Sequence, residues 1–334
     1  MTKFDPGGGI AMQLKRILVL ALLMLAVGAY AQQRLSIATG GTGGVYYPVG
    51  GGYAQIINEQ LPGFTATVEV TGASVENVGL VSRGDSDIGL ATADVLLAAY
   101  LGTGRFGPGG ELPRLPNLRA ITVAYTSGFH IITLEGSGIY SLPDLRGRRV
   151  SVGPPGSGTE VTTRTILEAN GITFGDFSVH RLSVGEATDA LRDGVIDAAT
   201  WVGGVPTGAV LSLAETHRIR LVPISATEAE RAHAADPTLF PYTFSAGVYR
   251  GIPETPSVGI PNVVFVAAEM SEELAYQFTR ALFEHIAVVR AIHVTAYETV
   301  PELALNSPIP LHPGAIRALE ELGLRVPDHL RAGE

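Results

Sequence analysis

The 334-residue chain is predicted to be an exported α/β protein of two lobes. Three observations carry that expectation: a leader-like N-terminus, a duplicated unit of strands and helices, and a length beyond the leader of about 300 residues, which exceeds what one hydrophobic core usually serves.

At the N-terminus, Lys15 and Arg16 precede the apolar run Ile17 to Val27, and Ala29-Tyr30-Ala31 follows it. A short apolar stretch between basic and small residues is the pattern of a secretory signal peptide. It is too short to stay as a spanning helix, which needs roughly 20 apolar residues. Residues 1–31 are expected to be cleaved before Gln32, and Met12 is an alternative start because Met1 to Ala11 lies upstream of the charged segment. With no cysteine, neither a disulfide framework nor a lipid-modified cysteine is expected.

The net charge is −9, and the two lysines, Lys3 and Lys15, both fall within the leader. An acidic protein whose remaining cations are arginines is a poor match for nucleic acid, so no nucleic-acid partner is expected. An anionic guest would have to be held by local donors, because the field of the whole molecule repels it.

The duplication is read by comparing the chain with itself. Arg34-Leu-Ser-Ile-Ala-Thr-Gly-Gly-Thr-Gly-Gly44 aligns without a gap to Arg149-Val-Ser-Val-Gly-Pro-Pro-Gly-Ser-Gly-Thr159. Each copy is a β-run that ends in a glycine loop. Helical spacing follows over Val45 to Leu61, with Pro48 tolerable only in the first turn, and over Glu160 to Ala169, which stops at Asn170-Gly171. Further on, Val81-Ser-Arg-Gly84-Asp-Ser-Asp87 leads into the apolar run Ile88 to Ala91, as Leu191-Arg-Asp-Gly194-Val-Ile-Asp197 leads into Ala198 to Trp201. A unit of alternating strands and helices forms a parallel sheet with right-handed crossovers, so two units predict two lobes. The apolar stretches Ala120 to Leu134 and Val263 to Ala268 are predicted to cross between them. One lobe is then expected over residues 32–125 and 263–334, the other over 126–262, with hinge closure as the motion.

Ligands of open α/β sheets sit beyond the C-terminal strand ends, where both glycine loops fall. In Gly41, Thr42, Gly43 and Gly44 the backbone can approach a ligand closely, and the helix that follows presents unpaired N–H groups and partial positive charge. Ser157, Gly158 and Thr159 offer the same from the other lobe with two added hydroxyls. A third helix is predicted to start in Gly72-Ala-Ser-Val-Glu-Asn77, with Ser74 as its N-cap and Asn77 among the candidate contacts. Helix ends supply only about 0.3–2 kcal/mol, well short of the roughly 8 kcal/mol of micromolar binding, so hydrogen bonds and desolvation must provide the rest.

Other candidates carry two readings each. Tyr46 and Tyr47 either wall the cleft or pack in the core. Thr92 and Asp94 follow a strand end, where Asp94 either holds a ligand ammonium or caps the helix Val95 to Leu101. Trp201, beside Gly203, Gly204 and Pro206, is either a wall of the site or a core ring.

Rival chemistries lack their residues. Gly153 to Thr159 has no P-loop lysine, Gly41-Thr-Gly43-Gly-Val-Tyr46 breaks the dinucleotide fingerprint at its third glycine, and Pro155 replaces the first glycine of a nucleophile elbow around Ser157. No histidine pair has i, i+4 metal-ligand spacing, and His130, His285 and His293 read as structural. Neither a metal, nor a cofactor, nor catalysis is expected.

The motifs Gly40-Gly-Thr-Gly-Gly-Val-Tyr-Tyr-Pro48, Gly72-Ala-Ser-Val-Glu-Asn77, Asp144-Leu-Arg-Gly-Arg-Arg-Val150, Gly153-Pro-Pro-Gly-Ser-Gly-Thr-Glu160 and Asp193-Gly-Val-Ile-Asp-Ala198, in this order, resemble the TAXI family. These are the solute-binding subunits of tripartite ATP-independent periplasmic (TRAP) transporters. The resemblance implies a type II periplasmic-binding fold, or Venus flytrap, and a periplasmic location. It also implies small and large membrane subunits as partners, sometimes fused, and uptake driven by an ion gradient. Glutamate, glutamine or a dicarboxylate such as 2-oxoglutarate is the implied guest. Where many relatives carry Gln-Ser-Asp, this chain has Thr92-Ala93-Asp94. A monomer is expected, since a clamshell must open freely. The alternatives are a sensory subunit that presents its closed lobes to a receptor kinase, and a secreted hydrolase that uses Ser157.

Overall fold

The computed structural model describes residues 32–331; the expected signal peptide lies outside them. The first half runs β1 (Gln33–Ala38), α1 (Tyr46–Gln60), β2 (Phe64–Glu69), α2 (Ser74–Arg83), β3 (Ile88–Thr92) and α3 (Ala93–Leu101). After the long strand β4 (Leu118–Leu134) the pattern repeats as β5 (Arg149–Ser151), α4 (Gly158–Ala169), β6 (Ser178–His180), α5 (Val184–Arg192), β7 (Ala198–Gly204) and α6 (Gly208–Thr216). The duplicated unit read from the sequence is therefore present in both halves. Pro48 sits in the first turn of α1, where its missing N–H costs no hydrogen bond. Gly84 takes the left-handed conformation that ends α2, with φ of 74°, and Gly194 does the same just beyond α5, with φ of 68°.

The remaining elements close the molecule. They are β8 (Ile219–Leu221), α7 (Ala226–Ala235), β9 (Phe240–Phe244), β10 (Thr255–Ala267), α8 (Glu272–Glu284), α9 (Ala287–Ile292) and α10 (Pro313–Glu321). The sheet order is β2-β1-β3-β10-β4-β7-β5-β6. Within each half, three strands are parallel, as the unit predicts. The crossing strands β10 and β4 lie antiparallel to them, against β3 and β7 respectively.

β4 changes partner along its length. Leu118 to Gly128 pairs with β10, and Ser127 to Leu134 pairs with β7 and β8. The return strand starts at Thr255, earlier than the expected Val263, because Pro256, Gly259 and Pro261 read as breakers. Here the two glycines make room for aromatic rings. A Cβ on Gly128 would stand 2.7 Å from Phe244, and one on Gly259 would stand 2.8 Å from Phe240.

Three apolar clusters fill the molecule. One belongs to the first half around Ile37, Tyr53 and Phe278, and one to the second around Leu191, Val210 and Tyr249. The third is continuous across both, joining Val78, Leu96 and Phe265 to Val150, Ile166 and Ala198.

Candidate functional site

Between the two halves lies a cavity of about 400 Å³. Of the residues expected at a binding site, it brings together Gly41, Thr42, Gly43, Gly44, Tyr46, Ser74, Thr92, Ser157, Gly158, Thr159, Trp201 and Gly204. The helix starts of α1, α2, α4 and α5 all reach its wall.

These starts differ in how far their donors are already used. At α1 the N-cap position is Val45, which supplies no side-chain acceptor, and the first turn holds no acidic residue. At α4 the Ser157 hydroxyl accepts from the Glu160 N–H, and α5 carries a full capping box between Ser183 and Glu186. At α2 the Val75 and Glu76 N–H groups donate across the cleft to the Gly156 carbonyl, at 3.0 and 3.2 Å. The uncapped start of α1 is thus the one most able to add an acceptor from outside.

Ser74 departs from its expected role. The N-cap position of α2 is Ala73, held at φ 78°, and Ser74 lies one residue inside the helix. Its Oγ instead accepts from the Thr92 N–H at 3.1 Å, which ties α2 to the end of β3.

Four expected residues lie outside the cavity wall. Asn77 is buried, and its amide donates to the carbonyls of Thr39 and Leu90 at 2.7 and 2.8 Å. It cross-links β1 and β3 beneath the site, a role that a buried amide must fill to stay satisfied. Asp94 is buried at the seam of the two halves. It is not the expected cap, because the helix starts at Ala93 with Thr92 at the N-cap position; one oxygen accepts from the Val95 N–H at 2.6 Å within the first turn, and the other accepts from the Thr162 hydroxyl at 2.6 Å. Burial pushes its carboxyl up to about 6, against the hydrogen bond from Thr162. Tyr47 is half-buried away from the wall, and Pro206 lines a neighbouring groove. The Pro206 carbonyl accepts from His293 Nε2 at 3.1 Å, a further link between the halves.

Trp201 lines the cavity and also packs against the apolar cluster of the second half, so both of its readings apply. Its ring lies between two glycines, one from each half: a Cβ on Gly44 would meet it at 3.1 Å and a Cβ on Gly203 at 2.1 Å. The seam is equally tight at Gly158, where a Cβ would stand 2.6 Å from both Ser74 Oγ and Thr92 Oγ1. Such approaches are open only to glycine. The halves are therefore closed on each other.

Sequence reasoning missed the start of α5, Ser183 to Glu186, and the wall residues Val70, Thr71, Tyr125 and Val202. Ser183-Val-Gly-Glu186 is a capping-box sequence, and that signal could have placed a fourth helix start at the cleft. Among the described residues no metal-binding cluster of histidine and acidic side chains occurs, and no helix is long and apolar enough to cross a membrane. His130 is buried and pushed down to about 4 by its burial, and it bonds to the Tyr249 hydroxyl at 2.8 Å.

Residues 37–323 match the model of the NMT1-like family. The chain belongs to that family. Among solved structures, a protein of Bordetella bronchiseptica RB50 is similar at a TM-score of 0.57 and 15% identity, over 88% of this chain and 99% of that one. The periplasmic aliphatic sulphonate binding protein SsuA of Escherichia coli is similar at a TM-score of 0.45 and 15% identity, over 86% and 83%. A putative L-cystine ABC transporter protein of Listeria monocytogenes is similar at 0.49 and 13%, over 80% and 97%. The fold of this family member is a two-lobed α/β fold, shared with the Bordetella bronchiseptica protein.

Proposed function

We propose that the chain is an extracytoplasmic, periplasmic solute-binding protein, not an enzyme, which closes its two lobes on a small carboxylate and delivers it to the membrane subunits of a TRAP transporter. One lobe is residues 32–125 and 263–334, and the other is residues 126–262. The observation that carries the reading is the cavity walled by both halves, into which the uncapped α1 start, Ser157 and Thr159 all point their part of the wall. A carboxylate there gains donors and partial positive charge from helix starts without a cationic side chain. The TAXI-like motifs support TRAP subunits as the partner, because they supply most of the cavity wall. Ser157 Oγ acts as a helix cap, and among the described residues no histidine lines the cavity to serve it as a base.

Closure follows from the same contacts. A guest held by both lobes adds its hydrogen bonds to the seam, and its differential affinity for the closed form sets the population shift. Calorimetry of ligand-stripped protein against glutamate, glutamine, 2-oxoglutarate and single carboxylates is expected to give heat with at least one. Thr42→Val is expected to weaken it by about tenfold, the effect of roughly one hydrogen bond to a charged group, and Ser157→Ala, whose hydroxyl already caps α4, by about threefold or less. Binding unchanged in both variants would remove the guest from this cavity. Uptake by membrane vesicles carrying the TRAP subunits should then require this protein and an ion gradient but no ATP; ATP-driven uptake would reassign the partner.

A further inference from the structure

We infer that the guest carries one carboxylate and an apolar body, which the cavity selects over dicarboxylates. The inference rests on the preceding reading that the cavity takes a carboxylate, and it names the class.

Among the described residues, the wall contains no lysine, arginine or histidine. Its donors are helix starts and serine, threonine and tyrosine hydroxyls, among them those of Thr42, Ser157, Thr159 and Tyr125, the last buried and without a hydrogen-bond partner. The uncapped α1 start can serve one carboxylate. A second carboxylate would enter a site without a cation, and a buried charge that lacks a partner is strongly disfavoured. Among the described residues, the ionised side chain in the wall, Glu186, has the wrong sign for it. Glu186 accepts from the Ser183 N–H and hydroxyl, both at 2.8 Å, and these bonds hold its carboxyl below the usual range, so it stays anionic.

Much of the rest of the wall is apolar. Val45, Val184 and Val202 are buried side chains that border the cavity, and the Trp201 ring borders it too. Val70 also borders it and is 60% exposed, an apolar side chain that a guest's body would cover. A cavity of about 400 Å³ lies within the ordinary range for small-molecule sites, and such sites are mostly apolar with a few placed polar groups. The same chemistry can come from an amino acid or from an oxo acid. Glu186 distinguishes them, since an ammonium beside it would gain a charge partner.

The test uses the mature chain, stripped of ligand, and two matched pairs of probes: leucine with glutamate, and 4-methyl-2-oxopentanoate with 2-oxoglutarate. Calorimetry is expected to show at least tenfold tighter binding of the apolar member in one pair. Val70→Arg, a change at an exposed position, should narrow that gap at least fivefold by giving a second carboxylate a partner. If leucine is the better of the two apolar probes, Glu186→Gln should weaken it at least fivefold; if the oxo acid is better, that variant should leave it unchanged or tighter. Equal or tighter binding of the acidic members by the unaltered protein overturns the inference but leaves the carboxylate reading intact. Heat from none of the four overturns both.

Discussion

The two glycine loops descend from one repeated unit, yet they have been put to different uses. In the first, Gly41 and Gly43 have space around them: added Cβ atoms would meet neighbours only at 4.0 and 3.4 Å. The helix behind that loop begins without a cap. In the second, Gly158 is wedged against Ser74 and Thr92, and Ser157 spends its hydroxyl on the helix start. Gly41 and Gly43 make the first loop an open receptor surface up to Gly44, which meets Trp201, whereas the second loop at Gly158 is a fitted part of the seam. Equivalent sequence thus says where a loop will lie, while the packing around it says whether it grips the guest or the other lobe.

The sharpest way to break this comparison is to add one methyl group to each loop. Gly158→Ala places a Cβ 2.6 Å from two short, buried side chains, which can escape only if the lobes part. Overpacking of this kind costs about 1–3 kcal/mol. The closed form should weaken by that amount, lowering guest affinity by roughly ten- to a hundredfold. Scattering should show an opened molecule at guest concentrations that close the parent. Gly41→Ala should change affinity less than about twofold, because its Cβ meets open space. If the two variants behave alike, the division of labour between the loops is wrong.

A second, smaller effect follows from Asp94 at the seam. Its carboxyl is pushed up to about 6 in the closed form, and an opened cleft would return it toward its ordinary value near 4. The groove around it also holds Asp236, Glu111 and Glu160, together with Arg105, Arg164 and Arg181. A raised carboxyl binds its proton more tightly in the closed form. Closure is therefore helped at low pH, and the help is lost as pH rises through about 6. Guest affinity should improve by up to about tenfold between pH 7 and pH 5, and the trend should flatten in Asp94→Asn. A trend of the opposite sign, or one that survives the substitution, would place the titrating group elsewhere. The open, uncapped first loop has no buried carboxyl to supply such a dependence.

The sequence was most informative where the repeat constrained it. Pro48, Gly84, Gly194 and the pairs of Asp residues before β3 and β7 mark element ends by local conformational rules, and those ends fall where they were expected. β10 was cut short in the reading because its prolines and glycines look like breakers. In the fold they sit at the crossing, where the ring of Phe240 fills the space that a side chain on Gly259 would take. Asn77 and Asp94 illustrate the other limit. Both stand in motifs beside the cleft, but a helix turns successive residues by about 100°, so neighbours in sequence face different ways. Asn77 faces the strands and Asp94 the opposite lobe. The start of α5 belongs to a helix that reaches the cavity only through tertiary packing, and a capping box alone does not reveal what it faces.

The smallest expected effect separates stability from binding. Ser157 Oγ satisfies the Glu160 N–H at 3.2 Å, so Ser157→Ala should lower unfolding free energy by about 1 kcal/mol, the typical worth of an N-cap. Thr42 is exposed, caps nothing, and stands at the cavity; Thr42→Val should leave stability within about 0.5 kcal/mol of the parent. Denaturant titration of the guest-free proteins would read both, since without guest neither loop gains from binding. A stable Ser157→Ala would mean that the second loop, like the first, holds its hydroxyl in reserve for the guest. A destabilised Thr42→Val would mean that the first loop, like the second, already belongs to the scaffold.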